Sequence, residues 1–255
     1  MKFYRSQIST YCPGRGIKQS KVMHLKKKLM LKLTYTATIV LTLTLVSLGN
    51  RAVTAISQGL PPEREHTFII DPGHGGVDGG ATSVTGKLES AFNLEIGLRL
   101  NDLLSLLGYR TKLIRTEDVS IYTKGETIAQ KKMSDLKERV RICNETPGAI
   151  LLSIHQNTFS DGKYSGAQVF YAATEGSEVL AKDLQKNLVH TLNPGSNRQA
   201  KKAAGVYLME HIECPGVLIE CGFLSNVQEE GKLRSAEYQK ELVCVIAATA
   251  ANFIA

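Results

Sequence analysis

Short apolar segments alternate with amphipathic helical patterns along the chain from about residue 66 onward, and this alternation constrains the fold more than any other feature. Five segments have the pattern of buried strands: 67–70, 111–115, 149–154, 168–172 and 217–219. Four segments have apolar residues at helical spacing: 92–107, 133–143, 180–188 and 238–253. Strands separated by helices predict a mostly parallel or mixed sheet with helices on both faces. We therefore expect a single α/β domain whose active site lies at the carboxyl ends of the strands.

The positive net charge of +7 comes from the first 55 residues. That segment holds ten of the 31 Lys and Arg residues and none of the 24 Asp and Glu residues, so the rest of the chain carries 21 basic and 24 acidic side chains. A basic surface for nucleic acid is therefore not indicated, and we expect no nucleic-acid partner.

The N-terminal segment has the pattern of an export signal. Lysines precede an apolar run at 33–48, which is 16 residues long and includes five Thr. A basic region followed by a short apolar run is typical of a secretory signal peptide, and a short uncleaved anchor remains the alternative. We expect a leader at 1–55, a linker at 56–65 and a catalytic domain at 66–255. The domain is then extracytoplasmic, either secreted or tethered, and meets the membrane only through its leader.

The five cysteines show no C-x-x-C pairing, so the sequence indicates no disulfide framework. Cys143 and Cys244 lie on apolar helical stripes, and Cys221 ends an apolar strand. We expect these thiols to be small buried hydrophobic groups, while the redox state of Cys143, Cys214, Cys221 and Cys244 stays open.

Polar residues with catalytic chemistry follow three of the predicted strands. His74 lies in the glycine-rich segment DPGHGGVDGG, His155 closes the strand 149–154, and Glu220 ends the strand 217–219. Glu89 lies just before the helical pattern that begins at Phe92, so it could face the same edge of the sheet. The glycine-rich segment lacks the Lys-Ser/Thr of a phosphate-binding loop, which argues against that function.

Each of these residues also has a structural interpretation. A strand-end histidine is often a hydrogen-bonded core residue, Glu89 could be a first-turn acid favoured by the helix dipole, and Glu220 could pair with Arg139 or Lys87. Taken together, two histidines and a glutamate are the ligand set of many catalytic zinc sites, and a further glutamate could shuttle protons. No H-E-x-x-H motif is present, so the residues alone leave both interpretations open.

The segments DPGHGGVDGGA, Glu89, SIHQN and IECGFLSN occur in an order that resembles the zinc-dependent N-acetylmuramoyl-L-alanine amidases (amidase type 3), which trim the bacterial cell wall. The resemblance covers roughly residues 66–255. It implies that His74, Glu89 and His155 bind one zinc ion and that Glu220 is catalytic. Ser153 and Asn157, which flank His155, are candidates for orienting that ligand or the substrate.

A narrower resemblance points to the germination-specific amidases of spore formers, and it is carried by the segments 166–168, 198–202 and 205–209. It implies a spore-cortex peptidoglycan substrate, cleavage between the muramic acid lactyl group and L-alanine, and subsequent formation of muramic lactam by a partner enzyme. Relatives in some clostridia need a lipoprotein, so an activating lipoprotein is a possible partner.

Three other functions remain compatible with these residues. A zinc peptidase cutting within the stem peptide would use the same four side chains on a neighbouring bond. A cysteine hydrolase would use Cys221 with His155, although strand alternation directs Cys221 away from Glu220. If the chain were a non-catalytic peptidoglycan-binding module, these four residues would have no catalytic role.

Overall fold

The computed structural model describes Met23, residues 26–42, Thr44 and residues 65–254. The chain divides into two compact units, Met1–Pro61 and Pro62–Ala255. In the first unit, residues 26–42 form an exposed helix, so the apolar run predicted at 33–48 is described only in part. The leader boundary at 55 and nearly all of the linker lie outside the described residues. No helix among the described residues is long and apolar enough to span a membrane.

The second unit contains a six-stranded sheet, and five of its strands are those that the sequence predicts. Its strands are β1 (Thr67–Pro72), β2 (Arg110–Leu113), β3 (Ala149–Asn157), β4 (Gln168–Tyr171), β5 (Lys201–Lys202) and β6 (Gly216–Phe223). The spatial order is β2-β1-β3-β6-β4-β5. Strands β2, β1, β3 and β6 are parallel, whereas β4 runs antiparallel to β6. The sheet is therefore mixed, with its parallel part at the centre.

Helices cover both faces of this sheet. They are α1 (Glu89–Leu106), α2 (Ile128–Asn144), α3 (Ser177–Leu192), α4 (Tyr207–His211), α5 (Val227–Arg234) and α6 (Ala236–Phe253). One core cluster joins α1, α3 and α6 to the sheet, and a second joins α2 and α4 to the opposite face. The larger cluster contains 25 buried residues, and the strands β1, β3 and β6 contribute apolar side chains to both clusters, as expected for parallel strands that are covered on both faces.

Several helix faces differ from the prediction. Met133 is 41% exposed, and the residues that α2 buries are Ser134, Arg139 and Cys143. The first half of this helix contacts the preceding loop, since Ser134 Oγ accepts hydrogen bonds from Thr123 N and Lys124 N, and only its second half reaches the apolar core. Cys244 is exposed, since α6 packs through Leu242 and Ile246 instead, so the expectation that its thiol is buried is wrong. The short elements β5, α4 and α5 have no counterpart in the predicted pattern.

The carboxyl ends of β1, β3 and β6 meet at one edge of the sheet. Asp71 lies opposite Ser153, and His155 lies opposite Glu220. Beyond that pair the register shifts, so that Asn157 lies opposite Phe223. Such a bulge turns side chains at the strand end, and it occurs here directly beside the residues with catalytic chemistry.

Candidate active site

His74 leaves the end of β1 in a left-handed backbone conformation, with φ of 61°. Its Nδ1 lies 3.0 Å from Asp78 Oδ2, and its Nε2 lies 3.3 Å from Glu89 Oε1. A carboxylate on the outer ring nitrogen fixes the orientation of an imidazole and leaves the other nitrogen free to bind. Burial alone lowers the pKa of His74, but the hydrogen bond and charge of Glu89, followed by those of Asp78, raise it to about 9.

Glu89 is the first residue of α1 and only 4% exposed. Its Oε2 accepts a hydrogen bond from Ala81 N at 3.0 Å, and its Oε1 accepts one from Gln156 N at 3.1 Å. Burial alone raises the pKa of this carboxyl, but hydrogen bonds and charges from His155 and His74 hold it well below its usual range. The carboxylate is therefore ionised and held in one orientation between the two imidazoles.

His155 approaches the same carboxylate from β3. Its Nδ1 lies 3.1 Å from Glu89 Oε1, and its ring centroid lies 5.0 Å from that of His74. The ring lies against the backbone of Gly73, where an added Cβ would be 2.1 Å from His155 Nε2. Glycine at this position is therefore required by the position of the imidazole.

The three side chains fit a zinc ion. One potential ligand atom from each of His74, Glu89 and His155 lies within 4.8 Å of the others. Zinc binds nitrogen and oxygen at about 2.0–2.1 Å in a tetrahedral arrangement, so its ligand atoms are about 3.3 Å apart. The distances of 3.3 and 3.1 Å from Glu89 Oε1 to the two imidazole nitrogens match this spacing. Two imidazoles and one carboxylate are also a donor set that suits zinc.

Glu220 lies across from His155 on β6 and is not part of that group. Its Oε2 is buried and has no hydrogen-bond partner in the described part of the chain. Burial is the main cause that raises the pKa of this carboxyl to about 7, with the charge of Glu89 adding to it. The structural interpretation of Glu220 as an ion-pair partner is wrong, since Arg139 pairs with Asp71 and Asp135, and Lys87 pairs with Glu95.

Arg139 of α2 holds the loop that carries His74. Its guanidinium pairs with the buried Asp71 and donates to His74 O at 2.8 Å. Arg115 supports the same loop, because it donates to Pro72 O at 2.8 Å and to Gly73 O at 3.1 Å. These contacts of Arg139 and Arg115 could not be predicted from the sequence, because they depend on how α2 and the segment after β2 pack against the loop.

The remaining candidates lie near the site in different roles. Ser153 is fully buried and donates to Asp71 Oδ2 at 2.6 Å, so it supports the strand end and does not reach a substrate. Asn157 is half-buried at the end of β3. Cys221 is fully buried in the core, and burial raises the pKa of its thiol, which removes it as a nucleophile.

Replacing Arg139 with Met should destabilise the protein strongly, because Asp71 would remain buried and ionised without its partner. Breaking a buried ion pair from one side costs about 3–5 kcal/mol. Urea unfolding would measure the change. Arg141→Met is the matched control, since Arg141 lies on the same helix and its ion pairs with Glu138 and Glu145 are exposed. Equal midpoints for the two variants would contradict the role given to Arg139.

A mixed α/β sheet with a histidine–glutamate–histidine cluster and a buried carboxylate at its carboxyl edge defines a hydrolytic enzyme with a candidate metal centre. Comparison with known proteins gives the particular class. The family model described as N-acetylmuramoyl-L-alanine amidase matches residues 68–252. The chain belongs to the N-acetylmuramoyl-L-alanine amidase family, as its sequence motifs predict.

Individual relatives agree with this assignment. The germination-specific N-acetylmuramoyl-L-alanine amidase of Bacillus subtilis is 38% identical over 182 residues, which cover 70% of this chain and 76% of that protein. The amidase LytC of the same species is 32% identical over 68% of this chain and 32% of its own length. Among solved structures, the CwlD amidase from Clostridioides difficile, in complex with the GerS lipoprotein, has a TM-score of 0.70 and 35% identity, covering 74% of this chain and 98% of its own.

Proposed function

We propose that this chain is a zinc-dependent enzyme that hydrolyses the amide bond between the lactyl group of muramic acid and L-alanine in peptidoglycan. His74, Glu89 and His155 would hold the zinc ion, and Glu220 would be the catalytic acid and base. The observation that carries the proposal is that these four side chains meet at the carboxyl ends of the strands. Three of them lie at ligand spacing, and the fourth is buried with no hydrogen-bond partner among the described residues.

A zinc ion at this centre would supply Lewis-acid chemistry, polarising the amide carbonyl and making a water acidic enough to attack near neutral pH. Glu220 Oε2 is free to accept the proton of the attacking water. The same oxygen then donates this proton to the nitrogen of L-alanine, so that the leaving group departs as a neutral amine. Asp78 holds the His74 ring in its binding orientation while this takes place.

The competing functions receive less support. Cys221 lies buried in the core, which argues against a cysteine hydrolase. A non-catalytic module would not require a buried carboxylate that lacks a hydrogen-bond partner among the described residues, because burying such a group destabilises the fold and brings no benefit unless the group is catalytic. A stem-peptide peptidase would use the same residues, but the matching family and the relatives named above are described as amidases.

We further infer that the substrate is spore-cortex peptidoglycan and that a lipoprotein contributes to activity. The germination-specific amidase of B. subtilis supports the first inference, and the clostridial amidase in complex with its lipoprotein supports the second. The basic N-terminal segment, which would serve as a cleaved signal or a short anchor, supports export of the domain at 66–255.

Digestion of two purified walls tests the substrate. The zinc-loaded protein should release peptides faster from spore-cortex peptidoglycan than from vegetative peptidoglycan, and a membrane-lipoprotein fraction from sporulating cells should increase that release. Glu220→Gln, assayed in parallel, is the control for contaminating hydrolases in the fraction. Equal or faster release from the vegetative wall would contradict the cortex assignment, and an unchanged rate on adding the fraction would contradict the partner.

A further inference from the structure

Three aromatic side chains form a row beside the candidate active site, and we call Phe223, Tyr164 and Phe159 the aromatic row. The rings of Tyr164 and Phe223 are 6.2 Å apart with an interplanar angle of 30°. The rings of Phe159 and Tyr164 are 4.9 Å apart at 84°. Phe223 is buried at the base, whereas Tyr164 and Phe159 are 39% and 53% exposed. The row therefore runs from the sheet edge out to solvent.

The strand register places the base of this row next to the catalytic pair. Phe223 lies opposite Asn157, and Glu220 lies opposite His155. Two residues along β3 correspond to about 7 Å. His155 and Asn157 are two residues apart, so their side chains lie on the same face of β3. The bulge adds one residue to β6 between the two pairs, and Phe223 and Glu220 therefore also lie on that face. The buried base of the row therefore lies about 7 Å from the catalytic pair along the strand ends, and the exposed rings of Tyr164 and Phe159 continue from it toward solvent.

The loop that carries the row is fixed to the turn after β6. Ser225 Oγ accepts a hydrogen bond from Phe159 N at 3.1 Å, and Asn226 Nδ2 donates to Tyr164 O at 3.2 Å. Gly166 N donates to the buried Glu229 at 2.7 Å. The Arg198 guanidinium lies 4.9 Å from the centre of the Phe223 ring. Exposed rings held in place by such contacts lose little entropy when a ligand binds to them.

The chemistry of the row selects its ligand. Neutral pyranose rings present C–H groups on their faces and hydroxyl groups at their rims, so they stack well on aromatic faces beside polar groups. Tyr164 offers such a ring with a hydroxyl group, and Lys163 Nζ lies 5.4 Å from its centre. Stem peptides carry carboxylates and would favour unpaired cations, whereas Lys163 is already paired with Asp161 at 2.6 Å and Arg198 donates to Ser165 O at 3.1 Å.

We propose that the aromatic row is a saccharide subsite that binds the glycan strand on a sugar next to the muramic acid residue whose amide is cut. This subsite rests on the proposed function for its place in the reaction, because it orients a polymeric substrate relative to Glu220. It makes the enzyme recognise the glycan chain as well as the amide.

A binding measurement tests the subsite without catalysis. The full-length chain carrying Glu220→Gln should bind peptide-free strands of alternating N-acetylglucosamine and N-acetylmuramic acid, measured by titration calorimetry. Adding Phe159→Ala and Tyr164→Ala together should weaken this binding about tenfold, as the loss of two stacking contacts implies. Phe159→Leu with Tyr164→Leu should weaken it similarly, because leucine keeps an apolar surface but has no ring.

Tyr207→Ala is the matched control, since it removes an aromatic ring from α4, which precedes β6 and so lies at the opposite edge of the sheet. It should leave the affinity unchanged. If the Phe159 and Tyr164 variants bind the strands as tightly as their parent, or if Tyr207→Ala weakens binding equally, the subsite is overturned.

Hydrolysis separates this proposal from the proposed function. On polymeric peptidoglycan, the double alanine variant should lose about tenfold in kcat/KM, mostly through KM. On a single N-acetylmuramoyl peptide, which lacks a neighbouring sugar, it should match the wild-type protein. Equal losses on both substrates would overturn the subsite while leaving the amidase intact. A wild-type protein without activity on either substrate would contradict the proposed function, and the glycan titration would still decide the subsite.

Discussion

Replacing Glu220 with Gln is expected to lower the rate of amide hydrolysis by about 10²–10⁴-fold, which is the usual contribution of general acid–base catalysis. Glutamine keeps the size and most of the polarity of the side chain, but it cannot take a proton from water or return one to the leaving amine. The substitution removes the function of Oε2, which is buried and has no hydrogen-bond partner in the part of the chain that the structure describes. The loss should appear in kcat, because the carboxylate acts on the reacting atoms.

The zinc content separates this role from a ligand role. Because Glu220 lies outside the ligand group, Glu220→Gln should keep one zinc ion per chain. Glu178→Gln, at an exposed site on α3, is the matched control and should keep full activity. A Glu220→Gln protein that hydrolyses peptidoglycan as fast as the wild type would remove this residue from the mechanism. Loss of zinc from this variant would indicate that Glu220 is a metal ligand instead.

Replacing His155 with Ala is expected to weaken zinc binding by more than about 100-fold. Mutating a residue that only supports a metal ligand lowers the metal affinity by about 10–100-fold, and removing a ligand itself lowers it further. His155 lies in the ligand group with His74 and Glu89, so two donors would remain, too few for a stable catalytic site. Competition with a chelator of known affinity would measure the change, and activity should fall in parallel.

The control for this variant is His190→Ala, which removes an exposed imidazole near the end of α3. It should bind zinc as the wild-type protein does. Circular dichroism would check that both variants are folded. If purified His155→Ala held stoichiometric zinc against the chelator, His155 would not be a ligand, and the arrangement of the centre would have to be revised.

Much of the fold was predictable because its strands and helices have clear periodicity. The central strands β1, β3 and β6 each contain a continuous apolar segment, and His74, His155 and Glu220, which the sequence pattern singled out, lie at or near the carboxyl ends of these strands. Helix α5 could have been found, since Asn226 is followed three residues later by Glu229, and its side chain accepts hydrogen bonds from the first turn. β5 has only two residues, too few for a pattern.

The interior of the site was less predictable because it depends on tertiary contacts. Helix α2 carries an apolar pattern that includes Met133, yet it turns Arg139 inward, since the buried Asp71 needs a charged partner. The bulge beside Glu220 depends on how β3 and β6 pair, which neither strand specifies alone. The assignment of His74, Glu89 and His155 as ligands came from the family resemblance, and residue spacing alone left it open.

The most direct test of the whole account identifies the bond that is cut. Peptidoglycan would be digested with the zinc-loaded protein, with and without a chelator, and the released fragments would be sequenced by mass spectrometry. We expect free peptides that begin with L-alanine, together with peptide-free glycan, and we expect both to disappear when the metal is removed. Fragments cut inside the stem peptide, or release that persists with the chelator, would contradict a zinc-dependent amidase.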